Sequence, residues 1–278
     1  MALLIVNADD YGLTEGVSRA ILAGHRHGVI TSTSVLALAP AYERTVRWLA
    51  DEPGLGIGAH LAAVGEDPPL LSAREIPSLV DRSGRLHLSW RTFLPAAALG
   101  GVDPEDLRRE FDAQLECLTG AGLVLDHLDT HQNLHLWPLV RDVVMELGDR
   151  HGIRAIRVTR SASRGVVAAA VRRLATELEH RCDDAGWRYP QASSGLDEAG
   201  RLDAVAMAST LGRLAATGAT SVELATHPGE ADDPALVRYR WGYRWADEAA
   251  AVRSDRVRAL VERLGFSLGT FAELDGES

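Results

Sequence analysis

The sequence predicts a single α/β domain built as a parallel (β/α) barrel, and three observations predict it. Apolar segments of strand length alternate with helical periods along nearly all of the 278 residues. Four of those segments end on a carboxylate or an imidazole: LLIVNADD on Asp9 and Asp10, LGIGAHL on His60, LVLDHLDTH on His131 and SVELATHPGE on His227. No linker and no repeat with a period of about 20–50 residues interrupts the pattern, so residues 1–278 read as one domain. Ligands collect at the C-terminal ends of strands in parallel α/β folds, which allows these four strand ends to meet in one site.

The elements follow in order. Leu3 to Asp10 is an unbroken apolar run closed by two acids, the mark of a strand buried on both faces. Thr14 can cap a helix that carries Val17, Ile21 and Leu22 on one face and stops at Gly28. A strand in STSVLAL, a helix near Ala41 to Ala50 and the strand ending at His60 come next. Residues 65–100 form an irregular excursion, because the prolines at 68, 69 and 77, SGR at 83–85 and the glycines at 100–101 break any period. Asp103 caps a helix with Pro104 first and Leu107, Phe111, Leu115 and Leu118 as its apolar stripe. After LVLDHLDTH come a helix from Pro138, a strand in IRAIRV and a long helix over about 163–181. Residues 186–202 read as loop, a helix over about 203–217 precedes SVELAT, and a last helix carries Val257, Leu260, Val261 and Leu264 up to Gly265.

Composition removes several function classes. With 29 basic against 39 acidic residues the formal charge is −10, which provides no general footprint for nucleic acid or an anionic membrane. Every basic residue is arginine, so a Schiff-base lysine, a lysine general base and a Walker-type lysine are all excluded. No apolar run approaches the ~20 residues that span a bilayer, and the chain starts directly in a strand. Cys117 and Cys182 lie in helical stretches without CxxC spacing, which suits a reducing compartment. A cytoplasmic location is expected.

The strand-end residues carry the chemistry. One carboxylate and two imidazoles hold a divalent cation and leave a position open for water, and Asp10, His60 and His131 supply that set. Side chains alternate along a strand, so only one of Asp9 and Asp10 points at the metal and its neighbour stands beside the metal's water. His135, four residues beyond His131, is an alternative ligand or a supporting residue, and parity leaves the direction of His127 open. Sugar sites need an aromatic face, and RYRWGYRW from Arg238 to Trp245 provides Trp241 and Trp245, with Trp137 and Trp90 as further wall candidates. The bland alternative for this stretch is aromatic packing on the barrel. Arg157 and Arg160 could orient Asp9, although an arginine at a strand end is more often a surface partner.

Taken together, NADDYGLTEGVSRAI, TSTSVLA, GIGAHL, HLDTHQNLH and ATHPGE, in this order and spacing, resemble the YdjC-like carbohydrate deacetylases over essentially the whole chain. The resemblance implies a deformed (β/α) barrel related to the NodB-type polysaccharide deacetylases. It also implies one divalent metal ion, magnesium or zinc, and hydrolysis of an N-acetyl group from a sugar or sugar conjugate. By position it implies Asp10, His60 and His131 as metal ligands, Asp9 as general base and His227 as general acid. Relatives of this kind often form homodimers. Some carry further histidines where this chain has Gln132 and Asn133, which leaves His131 as the ligand expected from that segment.

Overall fold

The central strand of the protein, in a computed structural model that describes residues 1–274, is β1 (Ala2–Tyr11). It is followed by α1 (Glu15–His27), β2 (Ser32–Val35), α2 (Tyr42–Thr45) and β3 (Gly56–Leu61). Next come α3 (Trp90–Ala98), α4 (Pro104–Gly120), β4 (His127–Thr130), α5 (Pro138–His151) and α6 (Val166–Ala185). The described chain closes with β5 (Ala192–Ser194), α7 (Ala204–Ala215), β6 (Ser221–Thr226), α8 (Trp245–Val252), α9 (Asp255–Arg263) and β7 (Phe266–Leu268). All the strand pairs are parallel, and the order is β4-β3-β2-β1-β6-β5 with β7 attached to β1. The result is a curled half-barrel flanked by helices, the α/β class that the alternation predicts. The last four residues of the single domain expected over 1–278 lie outside the described residues.

Local chemistry accounts for the helices. The Thr14 hydroxyl accepts from Val17 N at 2.9 Å, and Asp103 and Asp203 cap α4 and α7 in the same way. Several expectations need correction. IRAIRV is no full strand: it meets its neighbours only through the bridges Leu128↔Ile156 and Ala155↔Arg188, which extend the sheet past β4 and deform the barrel there. Residues 186–202 contain β5, and the excursion at 65–100 ends in α3, a short helix that carries Pro95 in its interior. The helix α8 was not foreseen, because the aromatic run that precedes it masks its start.

The two faces of β1 divide the interior. Leu4 and Val6 join the main core beneath the helices, whereas Ile5 packs with Ala155, Phe271 and Leu274 as a plug inside the barrel. Further along that inner face the residues turn polar. Asn7 donates to Ser34 Oγ and to Asp9 Oδ1, both at 2.8 Å, and Ser34 donates to Asp129 Oδ2 at 3.0 Å. His127 belongs to this column, stacked on Phe271 at 3.8 Å and bonded to Asp126 and Ser34, which settles its direction. Gly58 lets the ring lie across β3, since a Cβ there would sit 2.2 Å from it. The barrel is thus apolar at its base and ionisable at its C-terminal mouth.

Candidate metal centre and catalytic cavity

Both acids that end β1 reach the same cavity, which a regular strand forbids. One extra residue enters β1 between its pairings Ala8↔Thr33 and Tyr11↔Val35, and Asp10 takes φ +67 in the left-handed region that Asp tolerates. This bulge turns the Asp10 carboxylate inward beside that of Asp9, so the expected alternation of faces fails for a local reason. Asp10 Oδ1 then lies 3.5 Å from His60 Nε2 and 3.3 Å from His131 Nδ1. The donor atoms of the three residues are all within 4.8 Å of one another.

The donor set fits a cation. Asp10 Oδ1 is buried and has no hydrogen-bond partner, an orphan state that costs about 1–3 kcal/mol unless something satisfies it. Burial alone would raise the Asp10 carboxyl, but the adjacent His131, with His60 and His227, brings it down to about 2. Burial would likewise lower His60; the Asp129 carboxylate, with Asp9 and Asp10, instead lifts it to about 9. Asp129 Oδ1 sits 2.7 Å from His60 Nδ1, which fixes the ring with Nε2 toward Asp10, the orientation that supported metal histidines adopt. A second group of possible ligands, Asp9, His60 and Asp129, shares His60 but has its carboxylates engaged by Arg157. The fourth candidate, His135, points elsewhere: it is fully buried, its Nδ1 lies 2.9 Å from Thr130 Oγ1, and burial depresses it to about 4.

Asp9 is held by a network drawn from four strands or strand positions. Arg157 donates to Asp9 Oδ2 at 2.7 Å and Oδ1 at 2.6 Å and to Glu223 Oε1 at 2.7 Å, and forms an ion pair with Asp129 Oδ2 at 2.6 Å. At 2% exposure Arg157 is no surface partner, and three acids hold its charge firmly against burial. Burial drives Glu223 up despite Arg157, while the charges of Arg157 and His60 overcome burial and hold Asp129 well below the usual carboxylate range. With Oδ1 shared by Asn7 and Arg157, Asp9 turns Oδ2 toward His227 Nε2, 3.7 Å away. Glu248 of α8 accepts from His227 N at 2.6 Å and from Thr226 Oγ1 at 2.8 Å, pinning the end of β6. Neither Glu248 nor Glu223 was singled out from the sequence, where an acid inside an apolar segment was the available signal.

Asp9, Asp10, His60, His131, Arg157, Glu223 and His227 line a cavity of about 330 Å³. Trp241 forms part of its wall, 5.3 Å from the His131 ring, and donates Nε1–H to Glu66 at 2.9 Å. Tyr243, which the sequence reading passed over, packs edge-on against His227 at 4.9 Å. Trp245 does not reach the cavity: it is 8% exposed and backs Trp241 and Tyr243 at 5.6 and 5.1 Å. Trp137 is also outside and lines an adjoining groove, while Trp90 borders both spaces. The excursion contributes Ser89, Trp90 and Arg91 to the wall, and its Asp67 anchors the aromatic loop through Tyr239 at 2.9 Å and Arg238 at 2.6 Å.

Residues 3–263 match the family described as YdjC-like protein. The chain belongs to that family. Among its relatives, carbohydrate deacetylase 1 of Listeria innocua is 37% identical over 150 residues, covering 54% of this chain and 58% of the relative. A carbohydrate deacetylase of Geobacillus stearothermophilus is 37% identical over 158 residues, 56% of this chain and 60% of the relative. The matches therefore span less than two thirds of those relatives. In structure, an Enterococcus faecalis V583 protein described as a cellobiose-phosphate cleavage protein superposes with a TM-score of 0.80 at 24% identity, covering 97% of both chains, which shows the shared fold. No helix among the described residues is long and apolar enough to cross a membrane.

Proposed function

We propose that this protein is a metal-dependent hydrolase that removes the N-acetyl group from an acetylated amino sugar or sugar conjugate. One observation carries the reading: a buried, unpartnered Asp10 oxygen faced by two imidazole nitrogens, opening on the cavity where Asp9 and His227 stand together. Family membership and the carbohydrate deacetylases among its relatives support a sugar amide as the substrate class. Asp10, His60 and His131 would hold the cation, and two imidazoles favour zinc over magnesium. A bound divalent cation supplies Lewis-acid polarisation of the amide and a more acidic water. Asp9, oriented by Arg157 and Asn7, offers Oδ2 to take the proton of the attacking water. His227 returns a proton to the departing amine at Nε2, so both transfers occur at adjacent atoms. Trp241 and Tyr243 present the aromatic face on which a sugar ring can rest. Both cysteines are free thiols, in keeping with a cytoplasmic protein.

The experiment is acetate release from a panel of N-acetylated sugars and conjugates, comparing metal-reconstituted wild type with Asp10→Ala and Asp9→Asn. Asp10→Ala is expected to lose metal and nearly all activity, whereas Asp9→Asn keeps metal and loses about 10²–10⁴-fold in kcat. If wild type binds metal through Asp10 yet releases acetate from no member of a broad panel, the reaction assigned here is wrong.

A further inference from the structure

Beside the catalytic cavity lies a second concave space of about 500 Å³, larger than the first at about 330 Å³. Its walls are Trp90, Leu94 and Trp137 on one side and Val167, Val171 and Leu174 of α6 on the other. The first turns of α6 expose apolar surface that a soluble helix ordinarily turns inward: Val166 is 88% exposed and Val167 60%. Val166 and Val167 line the groove, whereas the exposed Ala169, Arg172 and Arg173 of the same helix do not. From Val166 to Leu174 this wall runs about 12 Å at the helical rise.

The groove is continuous with the catalytic cavity. Trp90, Gln132, Asn133 and Leu196 line both spaces, and Gln132 and Asn133 stand on their shared wall in left-handed conformations at φ 56 and 55. Gln132 Oε1 accepts from Trp90 N at 2.9 Å, tying the start of α3 to that wall. A polar cavity that places an acetamide next to an apolar channel suits a molecule with the same two halves. Resting on the deacetylase reading above, we propose that the groove seats an apolar group attached to the substrate sugar, and that the protein acts on amphiphilic sugar conjugates in preference to free sugars.

The test uses the metal-reconstituted chain and methyl, butyl and octyl glycosides of N-acetylglucosamine, each below its micelle concentration, with binding measured by calorimetry and turnover by acetate release. Each methylene that enters the groove is worth up to about fourfold in affinity. Octyl is therefore expected to bind at least about tenfold more tightly than methyl, with a negative heat-capacity change. In Val167→Asp, a surface substitution, the octyl-to-methyl ratio is expected to fall toward one. Equal binding of the methyl and octyl glycosides overturns the proposal, as does an octyl preference that survives Val167→Asp. A wild-type dimer in sedimentation that Val167→Asp turns into a monomer also overturns it, by assigning the groove to a second copy of the chain. Octyl binding that is sensitive to Val167→Asp without any acetate release upholds the groove and removes only the reaction.

Discussion

Replacing Arg157 with Gln tests whether the network behind Asp9 works as one electrostatic unit. The guanidinium lies 2.6–2.7 Å from acceptor oxygens of Asp9, Asp129 and Glu223, all buried. Removing one partner of a single buried ion pair costs about 3–5 kcal/mol, because the remaining charge is left without compensation. Here three carboxylates are left, so the loss at pH 7 is expected at or above that range, a fall in Tm of at least about 5–9 °C for a chain this long. The pH dependence follows from the signs. With Arg157 present, Asp129 is held low, so its contribution is present above the usual carboxylate pKa and disappears only in strong acid. Without it, burial pushes Asp129 and Glu223 upward, and the folded state carries a penalty at neutral pH that protonation relieves on acidification. Thermal and urea unfolding of the metal-free proteins between pH 7 and 4.5 measures both effects. A loss below about 1 kcal/mol, or a wild-type-to-variant gap that stays constant across that range, refutes the reasoning.

Two other outcomes follow from the same geometry. Asp129→Asn weakens the support at His60 Nδ1 and is expected to reduce metal affinity about 10–100-fold while leaving the ligands in place, as competition with a chromophoric chelator would show. His135 is buried and depressed to about 4 from an ordinary 6.5, so the unfolded chain binds its proton first as pH falls. It therefore contributes stability above about pH 6.5 that is lost toward pH 4, of order 3 kcal/mol. His135→Gln is expected to flatten that part of the stability profile, and an unchanged slope in urea unfolding would contradict the assignment.

How much of the site was legible depended on how local each cause was. The strand ends announced themselves because an apolar run that stops on an acid or imidazole is a pattern within ten residues. Asp9, Asp10, His60, His131 and His227 were all singled out this way, and the fold brings them to one cavity. Trp241 was readable from its aromatic run, but the same run also named Trp245, since composition does not say which ring faces the cavity and which backs it. Trp137 was misplaced for a related reason: nearness to His131 in sequence leads to the groove across the shared wall, and not to the cavity that holds Asp10 and His60.

By itself, then, the sequence determined the alternating α/β class, the acidic lysine-free surface and the identity of the groups at the mouth, all of which follow from residue type and local spacing. Only the tertiary structure decided that Asp9 and Asp10 face the same way, because that depends on a bulge against β2 and a left-handed Asp10. The role of Arg157 was likewise undecided until the barrel closed, since its contact with Asp9 spans 148 residues and that with Glu223 spans 66. The same holds for Glu248 beneath His227 and for the apolar groove between α3 and α6. Local pattern reports which side chain stands at a strand end, whereas its partners are chosen by packing between segments that the sequence keeps far apart.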